Sequence, residues 1–240
     1  MKLFSSIVIT ALFSLSSCYY FGGARVYGDG HIVTRDRSVG SFTGVRVGGA
    51  MNIHLKQDAS QSVKIEADQN LMEYIDVYID GSTLVIRTKQ GYNLNPTKEI
   101  VAYISAPLFK DIDVSGSGDI IGDNLISSNE PLSMHVSGSG NIQMEVNVPK
   151  ASTEVSGSGD VKLKGKATEF SVDMSGSGKV MCFDLVTDNT TLDMSGSSDA
   201  EVNASKKLDI DVSGSGSIHY KGSPSINQRI SGSGEVKKVD

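Results

Sequence analysis

Carboxylates recur at fixed distances from a repeated tetrapeptide, Ser-Gly-Ser-Gly. Four residues after each repeat start stand Asp119, Asn141, Asp160, Lys179, Asp199, Ser217 and Glu235. Two residues before it stand Asp113, His135, Glu154, Asp173, Asp193, Asp211 and Arg229. Oxygen-rich columns of this kind can hold a divalent cation when neighbouring turns bring several carboxylates together, as in calcium-loaded β-rolls that repeat every nine residues. Here the period is about double, and Lys179 and Asn141 interrupt the column. Like charges about 5 Å apart in water repel by only about 1 kcal/mol, so a soluble rod tolerates them without an ion. The columns therefore read as a solvated outer face. Its candidate exposed binding residues are Asp119, Asn141, Asp160, Asp199, Asp173, Asp193 and Asp211, with neither a metal nor a cofactor expected.

Other reactive residues offer less. His31, His54, His135 and His219 lack zinc-ligand spacing, and no cysteine pair accompanies them. The many serines have no paired base, and their Gly-Ser contexts recur as structural corners. Cys182 falls in an apolar column with Met144, Leu163, Val202 and Tyr220, and reads as a buried thiol. Cys18 is different. Lys2 precedes an apolar run from Leu3 to Leu15, too short for a membrane span of roughly 20 residues. Leu15-Ser16-Ser17-Cys18 then matches the bacterial lipobox. The expectation is cleavage before Cys18, a diacylglycerol thioether on its sulfur, and membrane attachment through that anchor. Tyr19 at the next position favours the outer membrane. Cleavage leaves 223 residues and removes one lysine and no acid, taking the formal charge from −6 to −7. That balance, with no basic block, excludes a nucleic-acid partner.

The repeat determines which elements carry these residues. Ser-Gly-Ser-Gly begins at Ser115, Ser137, Ser156, Ser175, Ser213 and Ser231, with Ser-Gly-Ser-Ser at Ser195, at gaps of 22, 19, 19, 20, 18 and 18 residues. The residues one before, three before and five after the starts are mostly apolar, for example Met174, Val172 and Val180, with Thr153 and Gln228 as polar exceptions three before. Alternation of period two makes each flank a half-buried strand, and the glycines let the chain turn a corner between them. A period near 20 residues is the mark of a solenoid whose stacked rungs share a core. The fold expected is all-β: a parallel β-solenoid of 18–22-residue rungs behind an N-terminal β-rich cap. Seven rungs give a rod of roughly 30 Å. Gln228, Lys238 and Asp240 make the last rung polar, which discourages end-to-end pairing.

In the first half, Val45-Arg46-Val47-Gly48-Gly49-Ala50-Met51-Asn52-Ile53 aligns position for position with residues 112–120. Asp80-Gly81 between β-rich runs signals a hairpin, 91–96 reads as a loop, and 71–74 is the one helical turn expected. The organisation is a signal peptide over 1–17, a lipidated cysteine and tether over 18–37, and one solenoid domain over 38–240. Its cap spans 38–105 and its regular repeats span 106–240.

The lipobox, Phe42-Thr43-Gly44-Val45-Arg46-Val47, Thr83-Leu84-Val85-Ile86 and the repeated Asp-Val-Ser-Gly-Ser-Gly-Asp-Ile occur in order. Together they resemble the autotransporter adhesin, head GIN domain family common in Bacteroidetes envelopes, over about residues 38–240. The resemblance implies a β-helix-like fold and an adhesin-like role, and it brings no catalytic motif. The functional expectation is a non-catalytic lipoprotein of the outer membrane, at the cell surface or the periplasmic face, presenting a rigid solenoid to a glycan or protein. The alternatives are a carbohydrate-active β-helix enzyme, which needs clustered carboxylates in a cleft, and a periplasm-facing structural or sensing module.

Overall fold

The computed structural model describes residues 23–239. Cys18, the stretch 1–17 expected to be a signal peptide, and Asp240 lie outside the described residues. The described chain is nearly all β, with about seven solenoid turns behind an N-terminal β region.

The chain runs through β1 (Ala24–Tyr27), β2 (Ile32–Asp36), β3 (Gly44–Gly49), β4 (Met51–Gln57) and β5 (Ser62–Asp68). A 3₁₀ helix (Gln69–Tyr74) follows, then β6 (Ile75–Asp80), β7 (Thr83–Thr88), β8 (Tyr92–Asn95) and β9 (Ile100–Ala106). The repeats form β10 (Asp111–Gly116), β11 (Ile120–Ser127), β12 (Leu132–Gly138), β13 (Ile142–Gly157), β14 (Asp160–Gly176), β15 (Lys179–Gly196) and β16 (Asp199–Gly214). Three short strands end the stack: β17 (Ser217–Lys221), β18 (Ser225–Gly232) and β19 (Glu235–Lys238).

Each rung contributes one strand before its Ser-Gly corner and one after it, so the stack has two walls. The first wall orders β6, β7, β3, β10, β12, the C-terminal parts of β13 to β16, and β18. The second orders β2, β5, β9, β4, β11, the N-terminal parts of β13 to β16, β17 and β19. The alignment of residues 45–53 with 112–120 is the observed register: Val45 faces Ile112, Val47 faces Val114 and Ile53 faces Ile120. The apolar columns point inward and are almost wholly shielded, including Ile53, Ile112, Met134, Val172 and Leu192. Each such side chain contributes roughly 1.5–3 kcal/mol on burial. Bulges in β11, β14–β15 and β15–β16 absorb the uneven repeat gaps and keep the corners in register.

The two glycines of a corner share one demand, since a Cβ on either would strike a carbonyl in the rung below, and they differ in backbone conformation. Gly157 has φ 136°, a conformation that favours glycine. Gly159 does not, but a Cβ there would strike the carbonyl of Gly140 in the rung below. Ser198 occupies this second position in one rung, 1 % exposed, its Oγ without a partner among the described residues. Register holds on both sides of it, with Gly196 opposite Gly176 and Asp199 opposite Lys179.

Three local expectations need correction. The stretch 91–96 is not a plain loop: it contains β8, which pairs in parallel with β1. Both β1 and β2 fall inside 18–37, the segment expected to be a tether. The signal missed is Asp68, remote in sequence. Its buried carboxylate accepts hydrogen bonds from Gly30 N at 2.8 Å, Thr97 N at 2.9 Å and Thr97 Oγ1 at 2.6 Å, tying both segments to β5. Burial pushes that carboxyl's pKa up, and these bonds outweigh it and hold it below the usual value. The Asp80 hairpin has a two-residue loop, Gly81-Ser82, since Asp80 pairs with Thr83. The helical turn extends over Gln69–Tyr74.

Candidate binding face

The column four residues after each repeat start lies at the corner where the second wall begins. Its side chains face neighbouring backbone as well as solvent. Asn52 Oδ1 accepts from Asp119 N at 3.1 Å, Asp119 Oδ1 from Asn141 N at 3.1 Å, Asn141 Oδ1 from Asp160 N at 3.0 Å, and Asp160 Oδ1 from Lys179 N at 3.0 Å. Asn141 also donates Nδ2–H to Asp119 Oδ1 at 2.8 Å. Lys179 has no side-chain acceptor, so the ladder stops there and resumes with Asp199 Oδ1 accepting from Ser217 N at 3.3 Å. What this column requires is an acceptor oxygen one bond beyond Cβ, which Asp and Asn supply equally. Asp119, Asn141, Asp160 and Asp199 are each half-buried in this ladder. Asn52 belongs to it as well, and its match to Asp119 in the 45–53 alignment is the sequence signal for it.

The repeat serines stand beside this ladder. Ser115 Oγ donates to Val47 O at 3.2 Å and Ser195 Oγ to Met174 O at 3.3 Å, each reaching the rung below. Backbone bonds continue through the corners, from Ser139 N to Gly116 O at 2.8 Å and from Ser158 N to Gly138 O at 2.8 Å.

The column two residues before the repeat start runs along the outer face of the first wall. Its ends are partnered. Arg46 Nε donates to Asp113 Oδ2 at 2.9 Å, His135 lies between Asp111 (3.6 Å) and Glu154 (3.1 Å), and Arg229 Nη1 donates to Asp211 Oδ2 at 3.1 Å. Between those ends Asp173 and Asp193 are in register, exposed and without an ion pair among the described residues. Desolvation raises the Asp173 carboxyl pKa, and the charges of Asp193 and Glu154 raise it further. The sequence-derived columns thus divide. Asp173, Asp193 and Asp211 line an open wall, whereas Asp119, Asn141, Asp160 and Asp199 bind backbone.

The remaining candidates stay apart. Cys182 is fully buried, and desolvation pushes its thiol up to about 12, against a weaker backbone bond at Leu163 that lowers it. His54 stacks on Tyr103 with centroids 5.3 Å apart and contacts Asp123 at 2.7 Å. Among the described residues no three His, Cys, Asp or Glu side chains are grouped to hold a metal ion.

Charge is unevenly spread. Residues 23–110 carry ten basic and nine acidic side chains, while residues 111–240 carry eleven basic and nineteen acidic. The repeats hold the excess negative charge.

Comparison with known proteins gives a consistent picture. Residues 41–224 match the model of a family described as "putative auto-transporter adhesin, head GIN domain". A crystal structure described as a putative adhesin from Bacteroides fragilis NCTC 9343 is similar at 27% identity, with 89% of this chain and 100% of that one covered and a TM-score of 0.85. One so described from Parabacteroides distasonis ATCC 8503 is 26% identical over 90% of this chain and 100% of that one, with a TM-score of 0.69. Another from that strain, described as a putative lipid binding protein, is 23% identical, covers 90% and 100%, and has a TM-score of 0.70. No curated protein matches the chain. The family and the two adhesin structures carry a binding description, not an enzymatic one.

Proposed function

The chain belongs to the auto-transporter adhesin head GIN domain family, and from that premise we propose that it is a non-catalytic envelope adhesin, a two-walled rod held to the outer membrane by a lipid on Cys18. Its contact face is the outer side of the first wall. One observation carries this reading: the row of Glu154, Asp173, Asp193 and Asp211, one carboxylate per rung, with Asp173 and Asp193 in no ion pair among the described residues. Packed strands hold the spacing, so the row is rigid before anything binds and loses little conformational freedom on binding. The unpaired charges of Asp173 and Asp193, held at a fixed rise between partnered neighbours, suit an extended glycan or protein partner that brings positive charge to the row. Acids spread evenly along a wall do not make the clustered pair in a cleft that glycoside chemistry needs.

Protease shaving of intact cells carrying a tagged copy, with a periplasmic protein as control, tests the placement. Loss of the tag while the control survives supports the adhesin. Survival of the tag until the outer membrane is broken overturns it in favour of a periplasm-facing module. Once the rod is known to be outside, Asp173→Asn with Asp193→Asn is expected to weaken attachment of cells to a cationic surface, and unchanged attachment would move the contact face elsewhere.

A further inference from the structure

At the N-terminal end of the stack β2 is the outermost strand of its wall; its core-facing side carries Val33 and Arg35, and Arg37 follows just beyond its end. The register fixes that direction: Val33 lies opposite Ala67 and Arg35 opposite Ile65, both buried, and Arg37 N donates to Val63 O at 2.8 Å. Arginines that face a core are costly unless the guanidinium is paired or wet. Here the 3₁₀ helix closes over the core with Leu71 and Met72. Beside it an open cavity of about 440 Å³ remains, lined by Asp29, Arg35, Arg37, Gln69, Asn70 and Glu73 together with Met72.

The two guanidiniums are incompletely used. The Arg37 guanidinium is held through Nη2 alone, which donates to Met72 O at 2.9 Å and to Met72 Sδ at 3.8 Å, and its buried Nε has no partner among the described residues. The Arg35 side chain makes no hydrogen bond or ion pair among the described residues, its strand pairing with Ile65 being through the backbone. Arg46, Arg87 and Arg229, by contrast, each face a carboxylate. The two carboxylates in the cavity lining do not neutralise the arginines: Asp29 Oδ1 instead accepts from His31 N at 3.0 Å. Residues two apart on a strand are roughly 7 Å apart, close enough for two long side chains to grip one tetrahedral anion. The guanidinium fork matches an oxyanion's geometry and stays charged at any physiological pH.

We propose that this cavity binds a phosphate group, with Arg35 and Arg37 as its ligands. Asp29 and Glu73 keep the lining from being strongly cationic, so the site suits a single phosphate and opposes a polyanion. The cavity lies at the end where the chain enters the stack. A phosphate there can come from solution or from a lipid headgroup.

Isothermal titration calorimetry with sodium phosphate, against sodium chloride at equal ionic strength, reads the site directly. Saturable binding is expected, weakened about tenfold or more by Arg35→Gln and by Arg37→Gln, the loss of a charge-assisted contact. Arg25→Gln, outside the cavity lining, is expected to leave binding unchanged. Arg35 is exposed, so its variant is expected to fold, and melting curves check Arg37→Gln, with Arg37→Lys as the charge-retaining comparison. Absence of saturable phosphate binding overturns the proposal, and so does equal binding by Arg35→Gln and the unaltered chain. Flotation of the unacylated chain with phosphatidylethanolamine–phosphatidylglycerol vesicles separates the sources. Phosphate binding with flotation that Arg35→Gln abolishes assigns a headgroup, and phosphate binding without flotation assigns a soluble phosphate.

Discussion

An aspartate beside a glycine corner can cap the next rung. Asp160 Oδ1 does so, accepting from Lys179 N. Asp160→Ala is expected to cost about 1 kcal/mol, the usual net worth of one such bond. Asp160→Asn is expected to cost only a few tenths, as Asn141 fills the same role one rung below. Urea unfolding distinguishes the two, and an equal loss in both variants would show that charge matters here and the ladder does not. Asp173 answers to a different force. Its folded pKa is raised by desolvation and by Asp193 and Glu154. The native state then binds its proton more tightly than the unfolded chain does, and stability falls as pH climbs from the ordinary carboxylate value, 3.8, through the raised one. Asp173→Asn is therefore expected to stabilise the protein at neutral pH and to give no gain below the carboxylate range. Melting temperatures across pH check this, and a gain that persists in strong acid would assign the effect to something other than titration. Both aspartates look alike in the sequence. Asn141 was the available clue, since an amide in an otherwise acidic column points to an acceptor and not to a charge.

Among the elements, the strands were legible because period-two apolar columns and the Ser-Gly corners are local signals, and the columns beside the corners became the register, with the bulges falling away from them. The edges were less legible. Strand β8 is the short run 92–95, and among the described residues its strand partner is β1, 68 residues earlier. Nothing within 91–96 announces that pairing, because its anchor is Asp68. The edges themselves follow a consistent physical rule. An edge strand offers unpaired N–H and C=O groups, and an inward-pointing polar side chain spoils any copy that tries to add to it. Gln228 lies opposite Ile210 and Lys238 opposite Tyr220, so both occupy core-side columns at the last rung, as Arg35 does at the first. Replacing Gln228 and Lys238 together with valine is expected to extend the apolar columns to the open end. Sedimentation velocity should then show elongated oligomers growing with concentration beyond anything the unaltered chain forms. A double variant indistinguishable from the unaltered chain would mean that another feature blunts this end.

At the scale of the molecule the stack does not follow the order of the chain. The rung of β3 and β4 is laid down early, yet β7 and β9 cover it on one side and β10 and β11 on the other. Segments such as Arg46 and Asp113, 67 residues apart, therefore meet early in the stack but late in the sequence. A repeat period cannot reveal this, because it reports that units resemble one another and not which ones adjoin. The consequence is an uneven distribution of stability along a rod that is regular in appearance. Ile53 is fully buried with a rung on each side. Ile230 is 37 % exposed in a strand whose every residue is exposed and which has one strand neighbour, β16. Ile53→Ala is expected to cost about 2–5 kcal/mol, the range for a buried aliphatic that leaves a cavity. Ile230→Ala is expected to cost below about 1 kcal/mol, because most of its transfer gain was never realised. Nearest-neighbour coupling between rungs transmits the first loss to both ends, so denaturant unfolding of Ile53→Ala should remain one transition at a lower midpoint. Equal costs at the two positions would show that the terminal rung contributes as much as the enclosed one, and the interleaved N-terminal order would then have no energetic consequence.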